Sequence, residues 1–234
     1  MSNSKPAAGL SEALVTISTP RSPISEAYRT LRTNLEFASL DTAVRTMVVT
    51  SPGPEEGKST TLANLAVTMA QAEKRVILVD CDLRRPCLHK LFGVSNDPGL
   101  TTMIVDEATM SDPPLQETGI PGLRLLPSGP LPPRPSDLLW SRRMEKVIAS
   151  LVERSDIVLF DAPPIIAVTD AAVLATKVDG VLLVVSAGNT RREHASMAIS
   201  MLEKVNAKII GAVLNNVDLD TGLNRYYSTE GSEW

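Results

Sequence analysis

Three short segments carry side chains that could do chemistry together. The first is Ser51-Pro52-Gly53-Pro54-Glu55-Glu56-Gly57-Lys58-Ser59-Thr60. A loop that binds phosphate needs inward-pointing backbone N–H groups, a lysine to reach the β- and γ-phosphates and a hydroxyl for Mg²⁺. Gly57-Lys58-Ser59-Thr60 supplies all three, and the helical stripe Leu62, Leu65, Ala66, Met69 and Ala70 follows directly. Pro52 stands where the usual pattern has its first glycine, so the match is degenerate there.

The second segment runs from Val76 through Asp80, Cys81 and Asp82 to Arg84, Arg85 and Pro86. Carboxylates at i and i+2 on an extended chain project to one side. The third, Val158-Leu159-Phe160-Asp161-Ala162-Pro163-Pro164, is another apolar run ending in a carboxylate and resembles a Walker B strand. In an open parallel sheet, ligands collect at the carboxyl ends of the strands. Lys58, Asp80, Asp82 and Asp161 can therefore converge on one Mg–nucleotide. Any single aspartate could be a plain strand-end cap. Three of them in a chain with a phosphate loop make that reading poor.

Positioning these residues requires alternating strands and helices. Short β-branched runs occur at Met47–Thr50, Val76–Asp80, Leu123–Leu126, Ile157–Asp161, Val181–Ser186 and Ile209–Leu214. Several are apolar on both alternations, as parallel strands covered on both faces are. Helical stretches lie between them, with Ser136–Arg154 and Arg191–Asn206 each reading as one helix. The expected fold is α/β: a doubly wound, mostly parallel sheet in a three-layer α/β/α sandwich of the P-loop NTPase type.

Residues 1–23 are small and polar, with Pro6, Pro20 and Pro23, and read as a flexible arm. A helix is expected from about Ser25, its putting of Ala27, Leu31, Leu35 and Ala38 on one face leaving Arg29, Arg32 and Glu36 on the other. The main domain spans 24–217, and 218–234 reads as a flexible tail. Residues 113–135 hold eight of the seventeen prolines and read as an irregular surface excursion.

Composition excludes several classes. Two cysteines, Cys81 and Cys87, do not make a disulfide framework. His89 and His194 are far apart and lack partners at metal-ligand spacing. A net charge of −4 argues against a nucleic-acid binder. No apolar run approaches the roughly 18 residues of a membrane helix, and no basic leader opens the chain, so the expectation is a cytoplasmic protein.

Taken as a set, the Ser-x-x-Pro-x-x-Gly-Lys-Ser-Thr loop, the Asp-x-Asp-x-Arg-Arg-Pro segment and Asp-x-Pro-Pro resemble the bacterial tyrosine kinases (BY-kinases) of capsular and exopolysaccharide synthesis. The segment from Leu126 to Pro135 is similar to that family's proline-rich stretch, with Arg134 where Asn is usual. The resemblance covers residues 24–217. It implies ATP and Mg²⁺, with Gly53, Pro54, Glu55, Glu56, Gly57, Lys58, Ser59 and Thr60 around the phosphates and Asn215 and Asn216 facing the adenine.

On the same ground Lys58 stabilises the transferred phosphoryl group, Ser59, Asp82 and Asp161 hold the metal, and Asp80 is the base. Glu26, Arg29 and Arg32 match a motif used for subunit contacts in a ring. Tyr226 and Tyr227 stand in the tail as phosphoacceptors, a thin version of the family's tyrosine cluster. The implied partners are further copies of the chain, a transmembrane polysaccharide-copolymerase-type adaptor and protein substrates of polysaccharide synthesis. The implied place is the inner face of the plasma membrane. Two other readings share the fold: a MinD/ParA-like ATPase, disfavoured because Gly53 sits where that group carries a signature lysine, and a non-catalytic ATP-binding module of an export complex.

Overall fold

The structure, a computed structural model, describes residues 12–38 and 43–217. Seven strands form one sheet: β1 (Thr46–Thr50), β2 (Val76–Asp80), β3 (Gln116–Glu117), β4 (Leu123–Leu126), β5 (Ile157–Asp161), β6 (Gly180–Ser186) and β7 (Ile209–Asn215). Their order is β3-β4-β2-β5-β1-β6-β7. All pairings are parallel except that of the two-residue edge strand β3 with β4. Every residue of β1, β2 and β5 is buried, which is why their sequences are continuous apolar runs and not alternations.

Nine helices cover the sheet among the described residues. On one face α1 (Val15–Ser18), α2 (Pro23–Ala38), α3 (Lys58–Gln71) and α4 (Leu88–Phe92) contribute to a core around Met47, Val49, Leu65, Leu78 and Leu159. On the other, α5 (Leu100–Val105), α6 (Pro135–Trp140), α7 (Arg142–Val152), α8 (Asp170–Ala175) and α9 (Arg192–Lys204) pack around Val48, Ile77, Val158, Phe160 and Leu183. The fold is the expected doubly wound α/β sandwich.

The register brings the chemical residues together. β5 lies between β2 and β1, with Asp80 directly opposite Asp161 and Asp161 opposite Val49. The phosphate loop leaves the end of β1, so three adjacent strands deliver the loop and both carboxylates to one edge.

Local structure departs from the sequence reading at four places. Residues 12–22 pack instead of forming part of an arm: Leu14 and Thr16 are fully buried, and Asn64 Oδ1 accepts from Thr16 N (3.1 Å) and Oγ1 (2.9 Å). Helix α2 starts at Pro23 and its cap is Ser22, whose hydroxyl accepts from Ser25 N at 3.2 Å. Ser25 is itself buried and donates to Thr19 O.

The long helix 136–154 is two helices, because Ser141 adopts extended backbone and accepts from Met144 N to cap α7. The proline-rich stretch is not simply a surface excursion. It contains β4, and Pro127, Ser128 and Gly129 are buried where Pro127 O and Ser128 O accept from Leu100 N and Thr101 N. Gly129, at φ 76°, passes so close to Gly99 that a Cβ on Gly99 would meet its nitrogen at 2.3 Å.

Candidate active site

The loop between β1 and α3 is wrapped around the first turn of the helix. Gly57 has φ 84°, and a Cβ there would lie 2.1 Å from Asn215 Nδ2, so both conformation and space demand glycine. The amides of Gly57, Lys58 and Ser59 have no acceptor among the described residues. They are the open donors of a helix N-terminus, backed by the fourteen-residue dipole of α3.

Lys58 folds back over these donors. Its ammonium lies 3.1 Å from each of Ser59 Oγ, Asp82 Oδ2 and Asp161 Oδ1. Ser59 Oγ in turn donates to Asp161 Oδ2 at 2.5 Å. Burial works to lower the lysine pKa, but the charges of Asp161 and Asp82 outweigh it and hold it above its ordinary value. Burial raises the Asp161 pKa, against the pull of Lys58 and the Ser59 hydroxyl.

Asp80 is wholly buried and bound by backbone. Its Oδ1 accepts from Asp82 N, and its Oδ2 from Cys87 N and Leu88 N, both at 3.0 Å, so it caps α4. Burial, reinforced by the neighbouring Asp161 charge, pushes its pKa up to about 8, with the Leu88 amide, Lys58 and the Cys87 amide opposing. Asp82 Oδ1 accepts from Arg84 N and Arg85 N, which turns its other oxygen toward Lys58. Burial and the surrounding carboxylates raise the thiol pKa of both Cys81 and Cys87, leaving neither a nucleophile.

Asp170, Ser136 and Thr61 lie beside the site without a sequence signal of their own. Arg84 is held by Asp170, fully buried, through Nε (2.9 Å) and Nη2 (3.1 Å), and Ser136 Oγ donates to the same carboxylate at 2.5 Å. That pairing joins positions 86 apart in the chain. Tyr28 and Thr61 line a cavity of about 420 Å³ with Ile24, Leu31, Asn215 and Asn216. Partial burial holds the Tyr28 pKa above its ordinary value, against a hydrogen bond with Thr61.

The other expected site residues are distributed as follows. Gly53 is partly buried, while Pro54 and Glu55 are exposed on the outer turn of the loop, with Glu55 at φ 60°. Glu56 turns its side chain away from the phosphate donors: it is 4% exposed and accepts from Thr190 Oγ1 at 2.6 Å. Thr60, partly buried, accepts from Asn64 through its carbonyl. Asn215 donates to Glu56 O (3.0 Å) and Asn216 to Ser186 Oγ (2.9 Å), so both amide nitrogens face the protein while the residues wall the cavity.

On α2, Glu26 and Arg29 form an ion pair with each other, and Arg29 also reaches Pro20 O. Arg32 donates to Thr68 O at 2.9 Å, near the end of α3. Tyr226 and Tyr227 lie outside the described residues.

The donor set fits a Mg–nucleotide: free amides and a lysine for phosphates, a serine hydroxyl and two carboxylates for the metal. Among the described residues no group of three or more His, Cys, Asp or Glu could hold a metal ion by itself. Mg²⁺ takes one or two carboxylates and completes its shell with phosphate oxygens and water, which the Ser59, Asp82 and Asp161 oxygens fit.

Fold and site together define a P-loop nucleotide-binding protein. A family model, ParA, described as NUBPL iron-transfer P-loop NTPase, matches residues 43–221. Nearly full-length similarity narrows the class. The chain is 41% identical over 218 residues to tyrosine-protein kinase YwqD of Bacillus subtilis, covering 93% of this chain and 92% of that one. It is 36% identical over 208 residues to the putative tyrosine-protein kinase CapB of Staphylococcus aureus, covering 89% and 91%.

Among solved structures, the chimerical protein CapA2B2 superposes with a TM-score of 0.84 at 37% identity over 89% of this chain and 92% of that one. The kinase domain of Escherichia coli tyrosine kinase ETK also gives 0.84, at 32% identity over 93% and 84%. The chain belongs to the bacterial tyrosine-protein kinase family.

Proposed function

We propose that this kinase transfers the γ-phosphoryl group of Mg·ATP to tyrosine hydroxyls, its own Tyr226 and Tyr227 among them, and so regulates capsular or exopolysaccharide synthesis and export. The observation that carries the reading is Lys58 suspended between Asp82 and Asp161 above a helix N-terminus with open amides. Phosphoryl transfer asks a protein chiefly for positioning and charge stabilisation, which is what these groups offer.

The amides of Gly57, Lys58 and Ser59 would bind phosphate oxygens, and the Lys58 ammonium would stabilise charge on the transferred group. Ser59, Asp82 and Asp161 would hold Mg²⁺. When bound, that ion neutralises phosphate charge and orients the transferred group. The cavity bounded by Tyr28, Asn215 and Asn216 is the proposed base subsite.

Asp80 is the proposed base, because a pKa near the working pH is where a base is most effective. Its oxygens are capped by the amides of Asp82, Cys87 and Leu88, and below about pH 8 it already holds a proton. Acting as base therefore requires that proton to leave and residues 81–88 to release one of the amides.

Among the described residues no helix is long and apolar enough to cross a membrane. Placement at the inner face of the plasma membrane is assigned, on the family resemblance, to a transmembrane polysaccharide-copolymerase-type adaptor. The α2 residues Glu26, Arg29 and Arg32 are assigned to contacts in a ring-like homo-oligomer.

The ParA-type family match supports a second reading, a nucleotide-switch ATPase. Incubation with γ-labelled ATP separates them. Labelled phosphotyrosine supports the kinase, and free phosphate without phosphotyrosine supports the ATPase. Binding with neither product leaves a regulatory module.

A further inference from the structure

Glu56 is a buried carboxylate that the transfer reaction does not use. Its Oε1 accepts from Thr190 Oγ1 at 2.6 Å, and its Oε2 is buried with no partner among the described residues. A half-satisfied buried carboxylate costs stability and calls for an explanation.

Its surroundings supply one. The Thr190 hydroxyl also accepts from Ser186 N at 2.8 Å, closing the turn after β6. The Glu56 carbonyl accepts from Asn215 Nδ2, and Ala187 N donates to Asn215 O at 2.8 Å. Asn216 Nδ2 donates to Ser186 Oγ. One residue of the phosphate loop is thus gripped twice, by side chain at the end of β6 and by main chain at the end of β7. The next two residues are Gly57 and Lys58.

We propose that Glu56 is a positioning residue for nucleotide binding: it clasps the phosphate loop to the ends of β6 and β7 and so fixes the Gly57 and Lys58 amides for phosphate. The clasp acts through Thr190, with which Glu56 forms one unit. It rests on the nucleotide reading given above. At its start the loop is anchored by Ile165 N, which donates to Ser51 O at 2.9 Å. Near the helix, Asn215 holds the Glu56 carbonyl, and the Glu56 side chain adds a further tether that stops this end from pivoting.

The test is calorimetric titration of the full chain with Mg·ATP, together with steady-state kinase assays. Glu56→Ala should weaken ATP affinity about tenfold, a loss of one charge-assisted hydrogen bond. KM should rise with kcat changed less than about twofold, the signature of lost ground-state binding. Glu56→Gln, which can still accept from Thr190, should restore most of the affinity. Thr190→Val should weaken binding similarly, and the double variant should be no weaker than either single one, because the two act as a unit. Thr190→Val keeps the test open if Glu56→Ala fails to fold.

Unchanged affinity in Glu56→Ala or Thr190→Val would overturn the clasp, as would additive losses in the double variant or a fall in kcat at constant KM. Absence of Mg·ATP binding by the wild-type chain would instead overturn the nucleotide reading itself.

Discussion

The ammonium of Lys58 lies 3.1 Å from Asp161 Oδ1, and the Asp161 side chain is wholly shielded from solvent while that of Lys58 is 12% exposed. The lysine proposed to act in catalysis is therefore also the counter-ion of a buried carboxylate. Lys58→Met should lower phosphotyrosine formation by about 10²-fold or more, since a donor to developing charge is lost. It should also destabilise the fold, by at most about 3–5 kcal/mol, because a buried charge loses its partner. Protonation of Asp161 will relieve part of that cost. Thermal unfolding of the two proteins at one pH checks this, and an unchanged Tm would contradict it.

Asp80 should titrate in the nucleotide-free protein at about pH 8 and not near its ordinary 3.8. The sign follows from linkage: between these values the native state holds a proton that the unfolded chain has released, so this group's contribution to stability falls as pH rises through the window. Carboxyl-carbon NMR of aspartate-labelled protein reads the midpoint directly. A midpoint near 4 would show that the amides of Asp82, Cys87 and Leu88 outweigh burial.

Asp156 offers the opposite case at the surface. Side-chain and backbone hydrogen bonds from Arg75 lower its pKa to about 2. Its contribution to stability is present above about pH 4 and is lost as pH falls through about 2. The Tm difference between wild type and Asp156→Asn should therefore shrink over that interval. The pair is solvated, so the difference will be small even at neutral pH.

The α2 arginines should separate by their roles. Arg29 pairs with Glu26 on its own helix, whereas Arg32 ties α2 to the Thr68 carbonyl near the end of α3. If both also serve a ring interface, either substitution to Ala should shift the protein toward monomer in sedimentation. Arg32→Ala should in addition lower Tm, by the loss of a charge-assisted bond to a helix terminus. High salt should mimic the Arg29 effect in part. A wild type that stays monomeric at high concentration with ATP and adaptor would contradict the ring.

The central strands and the phosphate loop were legible because their signals are local. Burial on both faces leaves continuous apolar runs, so Val76–Asp80 and Ile157–Asp161 can be read from the sequence to the residue. The convergence of Lys58 with Asp82 and Asp161 follows from strand ends alone. Other features depend on distant partners. Leu14 and Thr16 look like part of a polar arm until Leu14 joins the core and Asn64 binds Thr16, and Glu56 looks like a phosphate-loop residue until Thr190 draws it away. Asp170 is unremarkable in sequence until it meets Arg84. Helices of five or six residues such as α4, α5 and α8 are too short to show a helical period.

The central claim is phosphoryl transfer to tyrosine at Lys58 and its carboxylates, and one mixture tests it most directly. A Lys58→Met chain that keeps Tyr226 and Tyr227 is incubated with Mg·ATP, adaptor and an active chain truncated after Val217. The account predicts phosphotyrosine on the tail peptides of the inactive chain, and none when Lys58→Met is also introduced into the truncated partner. Labelled tail in that doubly inactive mixture, or an unlabelled tail beside the active partner, would contradict it.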